Sequence, residues 1–546
     1  MIVAAVCVLG LAAYQYRLEL LLWAAPLVAD WRDPVAPNEP VHWPEGPEEA
    51  TLPPGQRLPN IVLILADDLG FNDLSYFNGG AADGTLQTPN IDTIAHEGVV
   101  FANGYAANAV CAPSRASIMT GRYATRFGFE YTPFFKIGAT IIEWMYEDDP
   151  GALQPVIHHQ RLDDMPSMEH QGMPPEEITM GEALAEAGYY TAHIGKWHLG
   201  GTAGMRPEDQ GFHNSLYMAG MSYLPEDSPE VVNARQPFDP IDRMVWASTR
   251  YAAQFDGSHT FEPDGYLTDY YTDEAIRVIE ANRHRPFLLY LAHWGVHNPL
   301  QAKREDYDAL AHIDDHRLRV YAAMIMALDR GVGRVMTALE NHGLADNTLV
   351  IFTSDNGGAG YLGLPDINQP YRGWKLTHFE GGTHVPFFAR WPARIAAGSR
   401  FEAPVNHIDL FPTIAAAAGA QVPADRIVDG VDLLPFVTGE TDGEPHDTLF
   451  WRQGYVQTVL HDGWKLISSE RPARRWLFDL NSDPTEQHDV AARHAGKVAQ
   501  LETLLARHNA TQAEPLWPSV IEAPVLIDKT AAEPYEEGDE YLYWPN

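Results

Sequence analysis

Six short apolar runs set the rhythm of the chain: Ile61–Leu65, Val99–Phe101, Tyr189–Ile194, Pro286–His293, Asn347–Thr353 and His384–Arg390. Most are continuous rather than alternating, as expected for strands buried on both faces of a parallel sheet. Helical signals lie between them. Thr88-Pro89-Asn90 opens a short helix carrying Ile91 and Ile94 and closed by Gly98. Thr179 and Glu182 form a capping box, with Gly188 closing that helix. Residues 318–342 place Val320, Met324, Ala327, Leu328, Val335 and Leu339 at helical spacing, a core-packing stripe. The pattern predicts an α/β fold with a large, mostly parallel central sheet flanked by helices. A smaller C-terminal α+β unit follows: a hairpin from Tyr455 to Ile467 around Asp462-Gly463, a strand near Trp476–Leu480, and a helix near 495–508. Val498, Leu501, Leu504 and Leu505 give that helix its apolar face.

The flanks read differently. Residues 1–29 are mostly apolar but interrupted by Tyr14–Glu19. No positive n-region and no small-residue cleavage site stand out, and Arg17 and Glu19 weaken a simple spanning helix. The alternatives are an uncleaved anchor, a signal peptide with an imperfect start, and an amphipathic membrane contact. Export to the periplasm, cell surface or medium is expected, with attachment to a membrane through the N-terminus. Residues 33–54 hold seven prolines among acidic and small residues. They read as an extended spacer, within a linker over 30–58, that holds the globular part off a surface. A catalytic domain is expected over 59–435, with a long irregular insertion at 127–176 shaping substrate access. The C-terminal subdomain is expected over 436–512. In the tail, 513–546, Tyr541, Tyr543 and Trp544 favour docking over disorder.

Charge narrows the partners. The 546 residues carry 37 basic and 74 acidic side chains, a formal charge of −37. Such a field repels polyanions, which argues against nucleic acid and anionic membranes. An anionic substrate must therefore meet a local basic pocket. The two cysteines are Cys7, in the leader, and Cys111. The folded domain then has neither an internal disulfide nor a thiolate zinc site.

The chemistry gathers where the apolar runs end. Asp67-Asp68 follows the first run, at the edge where open α/β sheets place ligands. Adjacent carboxylates there point to a hard cation, with a turn-capping pair as the alternative. Lys196 and His198, two residues apart in Gly195-Lys196-Trp197-His198, can reach one oxygen. His297 lies on a loop past its strand, whereas His293 sits nearer the strand and reads as supporting. Asp355-Asn356 is a second oxygen pair at a strand end. Arg372-Gly-Trp-Lys375 and Glu380-Gly-Gly382 precede the His384–Arg390 run. The remaining element is Cys111-Ala-Pro-Ser-Arg115, followed by Thr120-Gly121-Arg122. Pro113 suits a first helical turn, so Cys111 is expected just ahead of a helix N-terminus, an anion-favouring position that Arg115 also reaches. The alternative for Cys111 alone is a small buried apolar residue.

Taken together, these motifs resemble the type I, formylglycine-dependent sulfatase family of the alkaline-phosphatase superfamily, over about Ile61 to Glu486. Cys111-x-Pro-Ser-Arg115 with Thr120-Gly-Arg122 is similar to its signature for conversion of cysteine to Cα-formylglycine. Phe478–Glu486, with Asp483-Pro484-x-Glu486, resembles its smaller domain. The resemblance implies hydrolysis of an organic sulfate ester, expected to be a sulfated carbohydrate or an aryl sulfate. It implies calcium held by Asp67, Asp68, Asp355, Asn356 and modified residue 111. Three carboxylates with an amide oxygen suit a hard cation in any case, and magnesium is the alternative. The implied roles are a hydrate hydroxyl at position 111 attacking sulfur with Arg115 nearby, and Lys196 and Lys375 meeting the sulfuryl charge. His297 or Lys375 would protonate the leaving alcohol, and His198 would take the proton that releases sulfate. A formylglycine-generating maturation enzyme is the implied partner. The runner-up is a phosphonate monoester or phosphodiester hydrolase with the same machinery, and after it an inactive binder of sulfated glycans.

Overall fold

The computed structural model describes residues 13–81, 84–147, 153–239 and 241–546. Cys7 and the first part of the leader lie outside them. Nine strands form the central sheet: β1 Asn60–Ala66, β2 Val99–Phe101, β3 Tyr190–Gly195, β4 Asn214–Met218, β5 Ala253–Phe255, β6 Phe287–Ala292, β7 Thr348–Ser354, β8 Phe387–Arg390 and β9 Ser399–Phe401. Their order is β9-β2-β8-β7-β1-β6-β3-β4-β5. The central five, β7, β1, β6, β3 and β4, are mutually parallel. β5 and β8 run against their neighbours. β1, β3, β6, β7 and β8 are buried along their whole length, and β1 and β6 are accordingly apolar without alternation, while the buried Thr191 and His193 of β3 bond Gly211 O and Ser215 Oγ.

Because the five central strands point one way, β7, β1, β6 and β3 deliver four neighbouring C-terminal ends to one edge. β8 is antiparallel, so the segment before it starts from that same edge. A strand end and a strand start are thereby brought together. Helices cover both faces, among them His316–Asn341, whose Val320, Met324, Ala327, Leu328, Val335 and Leu339 are all buried.

The C-terminal unit is a four-stranded antiparallel sheet, Thr448–Gln453, Val456–His461, Trp464–Glu470 and Ala473–Asp479. Asp462 and Gly463 both adopt left-handed φ (52° and 72°), the geometry a two-residue hairpin requires. The helix Ala495–Asn509 lays Leu501 and Leu505 on Val459, Leu466 and Leu477.

Two expectations are corrected. The proline-rich stretch is not a spacer: Val41 and Trp43 are buried in the main core, and the Trp43 indole N–H donates to Glu274 at 2.8 Å. Two apolar anchors between prolines are enough to dock an extended segment, since proline leaves few backbone donors to satisfy. The 127–176 insertion is not irregular throughout. It contains a helix, Lys136–Tyr146, that buries Ile141 and Ile142, and a short strand, Val156–Ile157. That strand pairs with Ile521–Leu526 of the tail, which itself forms a hairpin with Tyr541–Pro545. The tail therefore docks, as its aromatic residues led one to expect.

Candidate active site

Register sets the first pair of residues. Ala66 of β1 faces Ser354 of β7, so Asp67-Asp68 and Asp355-Asn356 leave the sheet side by side. The Asp355 N–H donates to Ala66 O at 3.1 Å, and the Asp68 N–H to Asp355 Oδ1 at 3.2 Å. On the other flank Gly195 of β3 faces Ala292 of β6. At Gly195 (φ +106°) an added Cβ would lie 1.9 Å from Ala292 O, so only glycine permits this approach. Lys196 and His198 follow directly, and the loop after β6 brings His297.

Cys111 is the first residue of the helix Cys111–Thr120, with Val110 as its cap, rather than lying ahead of it. One turn on, Arg115 is wholly buried and uses all three nitrogens. Nε donates to Asp355 Oδ2 at 2.8 Å, Nη2 to Asp67 Oδ2 at 3.0 Å, and Nη1 to Lys196 O at 2.9 Å. The Cys111 sulfur sits 3.8 Å from both Asp67 Oδ1 and Asp68 Oδ1. Arg122 is committed elsewhere, to Glu177 at 2.5 Å.

Opposing these carboxylates are two lysines. Lys196 Nζ lies 2.6 Å from Asp67 and 4.7 Å from the ring centre of Trp294, which stacks on His297 at 4.0 Å. Lys375 Nζ lies 2.7 Å from Asp68 and donates to His297 Nε2 at 3.3 Å. His297 Nδ1 lies 2.7 Å from Asn298 O; a carbonyl only accepts, so Nδ1 carries the hydrogen and Nε2 the lone pair. Tyr361 completes this side, donating to Asp68 Oδ2 at 2.9 Å and accepting from Lys375 at 3.2 Å.

Backbone strain collects here. Asp68, His198 and Leu376 all hold left-handed φ (59°, 65° and 77°) without being glycine. Such conformations persist only where surrounding contacts fix them. For Leu376 and Lys375 those contacts are N–H bonds to Ala109 O at 2.9 Å and Gly358 O at 3.0 Å.

The electrostatics favour an added cation. Burial and the adjacent Asp355 push Asp67 up to about 7, despite Lys196 and Arg115. Burial also works to raise Asp68, but Lys375, His297 and Lys196 hold it well below the usual carboxylate range. Burial pushes the Cys111 thiol up to about 12, so as a thiol it stays protonated. Burial, with Lys196 and Arg115 for His198 and with Lys375 for His297, keeps both imidazoles neutral. Asp67, Asp68, Cys111 and His297 each offer one ligand atom within 4.8 Å of the others. Asn356 Nδ2 donates to Asp68 Oδ1 at 2.8 Å, while its Oδ1 is buried without a partner. An orphaned amide oxygen beside carboxylates is a donor set that fits a hard divalent ion.

The structure thus brings together Asp67, Asp68, Cys111, Arg115, Lys196, His198, His297, Asp355, Asn356 and Lys375. His293 is buried with both ring nitrogens unpartnered and belongs to none of these contacts. Sequence reasoning missed Tyr361, which stands in no motif and reaches the site through a short turn, Gly360–Leu362. It also missed the nearness of His297 to Asp68, 3.5 Å, which follows from packing alone.

The sulfatase family model matches residues 59–420, and that of the N-sulphoglucosamine sulphohydrolase C-terminal region matches 373–511. The chain is 34% identical to N-acetylgalactosamine-6-sulfatase of Mus musculus over 69% of its own length and 66% of that protein. It is 31% identical to steryl-sulfatase of the same species over 77% of its length and 72% of the relative. The crystal structure of Ps i-CgsB in complex with k-i-k-neocarrahexaose superposes with a TM-score of 0.69 at 30% identity, covering 84% of this chain and 95% of that one. The chain belongs to the sulfatase family of sulfuric ester hydrolases, within the alkaline-phosphatase-like superfamily.

Proposed function

From this membership we propose that the protein removes sulfate from a sulfated carbohydrate, using Cys111 after its conversion to Cα-formylglycine by a maturation enzyme. The observation that carries the reading is the state of Cys111. Its thiol is protonated, buried and set against two carboxylates, so it is a poor nucleophile as it stands. An aldehyde hydrate at the same position supplies hydroxyl groups where sulfur now sits. Asp67, Asp68, Asp355, Asn356 and residue 111 would hold a divalent cation, calcium before magnesium. When bound, that cation supplies Lewis acidity and countercharge for the sulfuryl oxygens.

The chain's own residues do the rest. Lys196 and Lys375 are donors poised for the ester's non-bridging oxygens, and with Arg115 they offset the carboxylates, leaving room for an anion in an acidic protein. Arg115 is clamped by Asp67 and Asp355 and so orients the first helical turn. His198 Nδ1 is buried without a partner among the described residues, which leaves that nitrogen free to take a proton. His297 exchanges protons only at Nε2, because Nδ1–H is committed to Asn298 O. Nε2 accepts from Lys375 Nζ, so the proton for the leaving oxygen comes from Lys375, directly or relayed through His297 Nε2.

Rates on the sulfate, phosphodiester and phosphonate esters of one phenol test the reading. The sulfate ester is expected to be the fastest substrate. If it were the slowest, a phosphonate monoester or phosphodiester hydrolase is the better description. No turnover of any ester by matured protein would leave only a glycan binder.

Membrane attachment is part of the same proposal. The helix Arg17–Arg32 turns Leu20, Trp23, Leu27 and Trp31 outward at helical spacing, 49%, 68%, 53% and 82% exposed. Its other side meets the helix Asp242–Ser248, where Glu19 pairs with Arg243 at 3.5 Å. No helix among the described residues is long and apolar enough to cross a membrane. A Trp- and Leu-bearing stripe is the surface that lies in a lipid interface. The full chain is expected to cosediment with phosphatidylcholine vesicles, and Trp23→Ser with Trp31→Ser to lower that binding at least about fivefold. Equal sedimentation of both proteins would remove the membrane from the proposal.

A further inference from the structure

Arg317 is conspicuous for lacking a carboxylate. Acidic side chains outnumber basic ones 74 to 37, and the other arginines of its helix are all engaged. Arg330 pairs with Asp269 and Asp306, Arg334 with Asp273, and Arg319 donates to Tyr307 O. Arg317, in the first turn of His316–Asn341, makes no hydrogen bond or ion pair among the described residues. Its Nε is buried without a partner. Its guanidinium lies on the ring of Phe238, 4.8 Å from the centroid. A half-buried guanidinium resting on an aromatic face and lacking an anion is a site with one component missing.

Its position says what is missing. Gly363 closes the short turn Gly360–Leu362 with φ +68°, and a Cβ there would lie 2.6 Å from Phe238, 3.0 Å from Ala532 and 3.0 Å from Arg317 Nη1. The same turn carries Tyr361, whose hydroxyl bonds Asp68 and Lys375. The tail meets it too, through the Ala531 N–H on Gly360 O at 3.1 Å. Gly363 lies two residues from Tyr361, about 4 Å along the axis of a 3-10 turn. Arg317 therefore sits against the turn that carries Tyr361 to Asp68 and Lys375.

We infer that Arg317, supported by Phe238, is a subsite for a second oxyanion on the substrate, a sulfate or carboxylate on the sugar next to the one that is desulfated. The inference rests on the carbohydrate sulfatase reading above and deepens it: the preferred substrates are polyanionic. A guanidinium gives a paired, charge-assisted contact to either oxyanion. It also supplies the local positive charge that such a substrate needs against the field of an acidic protein.

The test is steady-state kinetics of the full matured chain and of Arg317→Gln on 4-nitrophenyl sulfate, a monosulfated disaccharide, and that disaccharide bearing a second sulfate or a carboxylate. Arg317→Gln is expected to lower kcat/KM on the doubly anionic sugars by roughly 10- to 100-fold, mainly through KM. That loss should exceed the loss on the aryl sulfate at least tenfold. Arg317→Lys should recover part of it. Whichever second group shows the larger loss identifies the oxyanion. Equal losses on every substrate would mean a structural role and overturn the inference, as would no loss on the doubly anionic sugars. If wild type turned over no sulfate ester, the sulfatase reading fails instead. Calorimetric binding of the disulfated sugar to wild type and Arg317→Gln then decides the subsite, with equal affinities overturning it.

Discussion

Replacing Cys111 by alanine is expected to lower sulfate ester hydrolysis by about four to six orders of magnitude, the loss seen when a nucleophile is deleted. The fold should survive. Cys111 occupies the first position of a helix capped by Val110, and alanine is at ease there. The site would also keep its bracing, since Arg115 holds Asp67, Asp355 and the Lys196 carbonyl without help from the sulfur. Circular dichroism and the urea midpoint should therefore match wild type while turnover disappears. The companion measurement is the intact mass of the wild-type peptide containing residue 111. It is expected to show loss of sulfur and gain of an aldehyde oxygen in protein made with a maturation enzyme. A fully active preparation whose residue 111 is entirely thiol would contradict the proposed chemistry. Substantial activity in Cys111→Ala would move the nucleophile to another residue altogether.

Why so much of this site could be read from sequence is a matter of register. In the central sheet each ionisable cluster follows its apolar run at once, and Ala66 faces Ser354 while Gly195 faces Ala292. Linear neighbours of strand ends therefore become spatial neighbours, and Asp67, Lys196 and Asp355 needed no long-range information to be placed. Lys375 is harder: it precedes a strand rather than following one, and only the antiparallel direction of β8 brings it to the same edge. Tyr361 was out of reach because a turn, not a periodicity, delivers it. The left-handed conformations of Asp68, His198 and Leu376 were equally hidden, since nothing in those residue types asks for them. The proline-rich stretch misled for another reason. Its composition describes the isolated chain, whereas Val41 and Trp43 find a core that composition does not describe.

The second large effect is expected far from the reacting atoms, at Lys465 of the small domain. Its Nζ lies 2.7 Å from Glu380 Oε1 and 2.9 Å from Glu486 Oε1, and all three side chains are buried. His384 reaches Glu380 at 2.8 Å, Tyr105 donates to it at 3.1 Å, and the Glu380 N–H donates to Glu486 Oε2 at 2.6 Å. Removing the only lysine of this cluster leaves two buried carboxylates to repel each other. Lys465→Ala should then cost about 3–5 kcal/mol, read as a shift of the urea midpoint. Activity should fall with it. Glu380 begins the turn Glu380–Thr383, and Gly382 O of that turn accepts the Gly357 N–H at 3.0 Å, directly after Asp355-Asn356. At Gly357 a Cβ would stand 1.9 Å from Gly381 O, so the two segments touch without a side chain between them. A displaced Glu380 thus displaces the oxygen pair. Combining Lys465→Met with Glu380→Gln and Glu486→Gln removes the uncompensated charge and should recover most of the lost stability. If Lys465→Ala instead moved the midpoint by less than about 1 kcal/mol, the carboxylates would not be isolated from water. The two domains would then be held by their other contacts, such as Phe379, which packs 5.5 Å from the ring of Trp476 and 6.0 Å from that of Phe478, and Tyr105, 5.5 Å from that of Trp451.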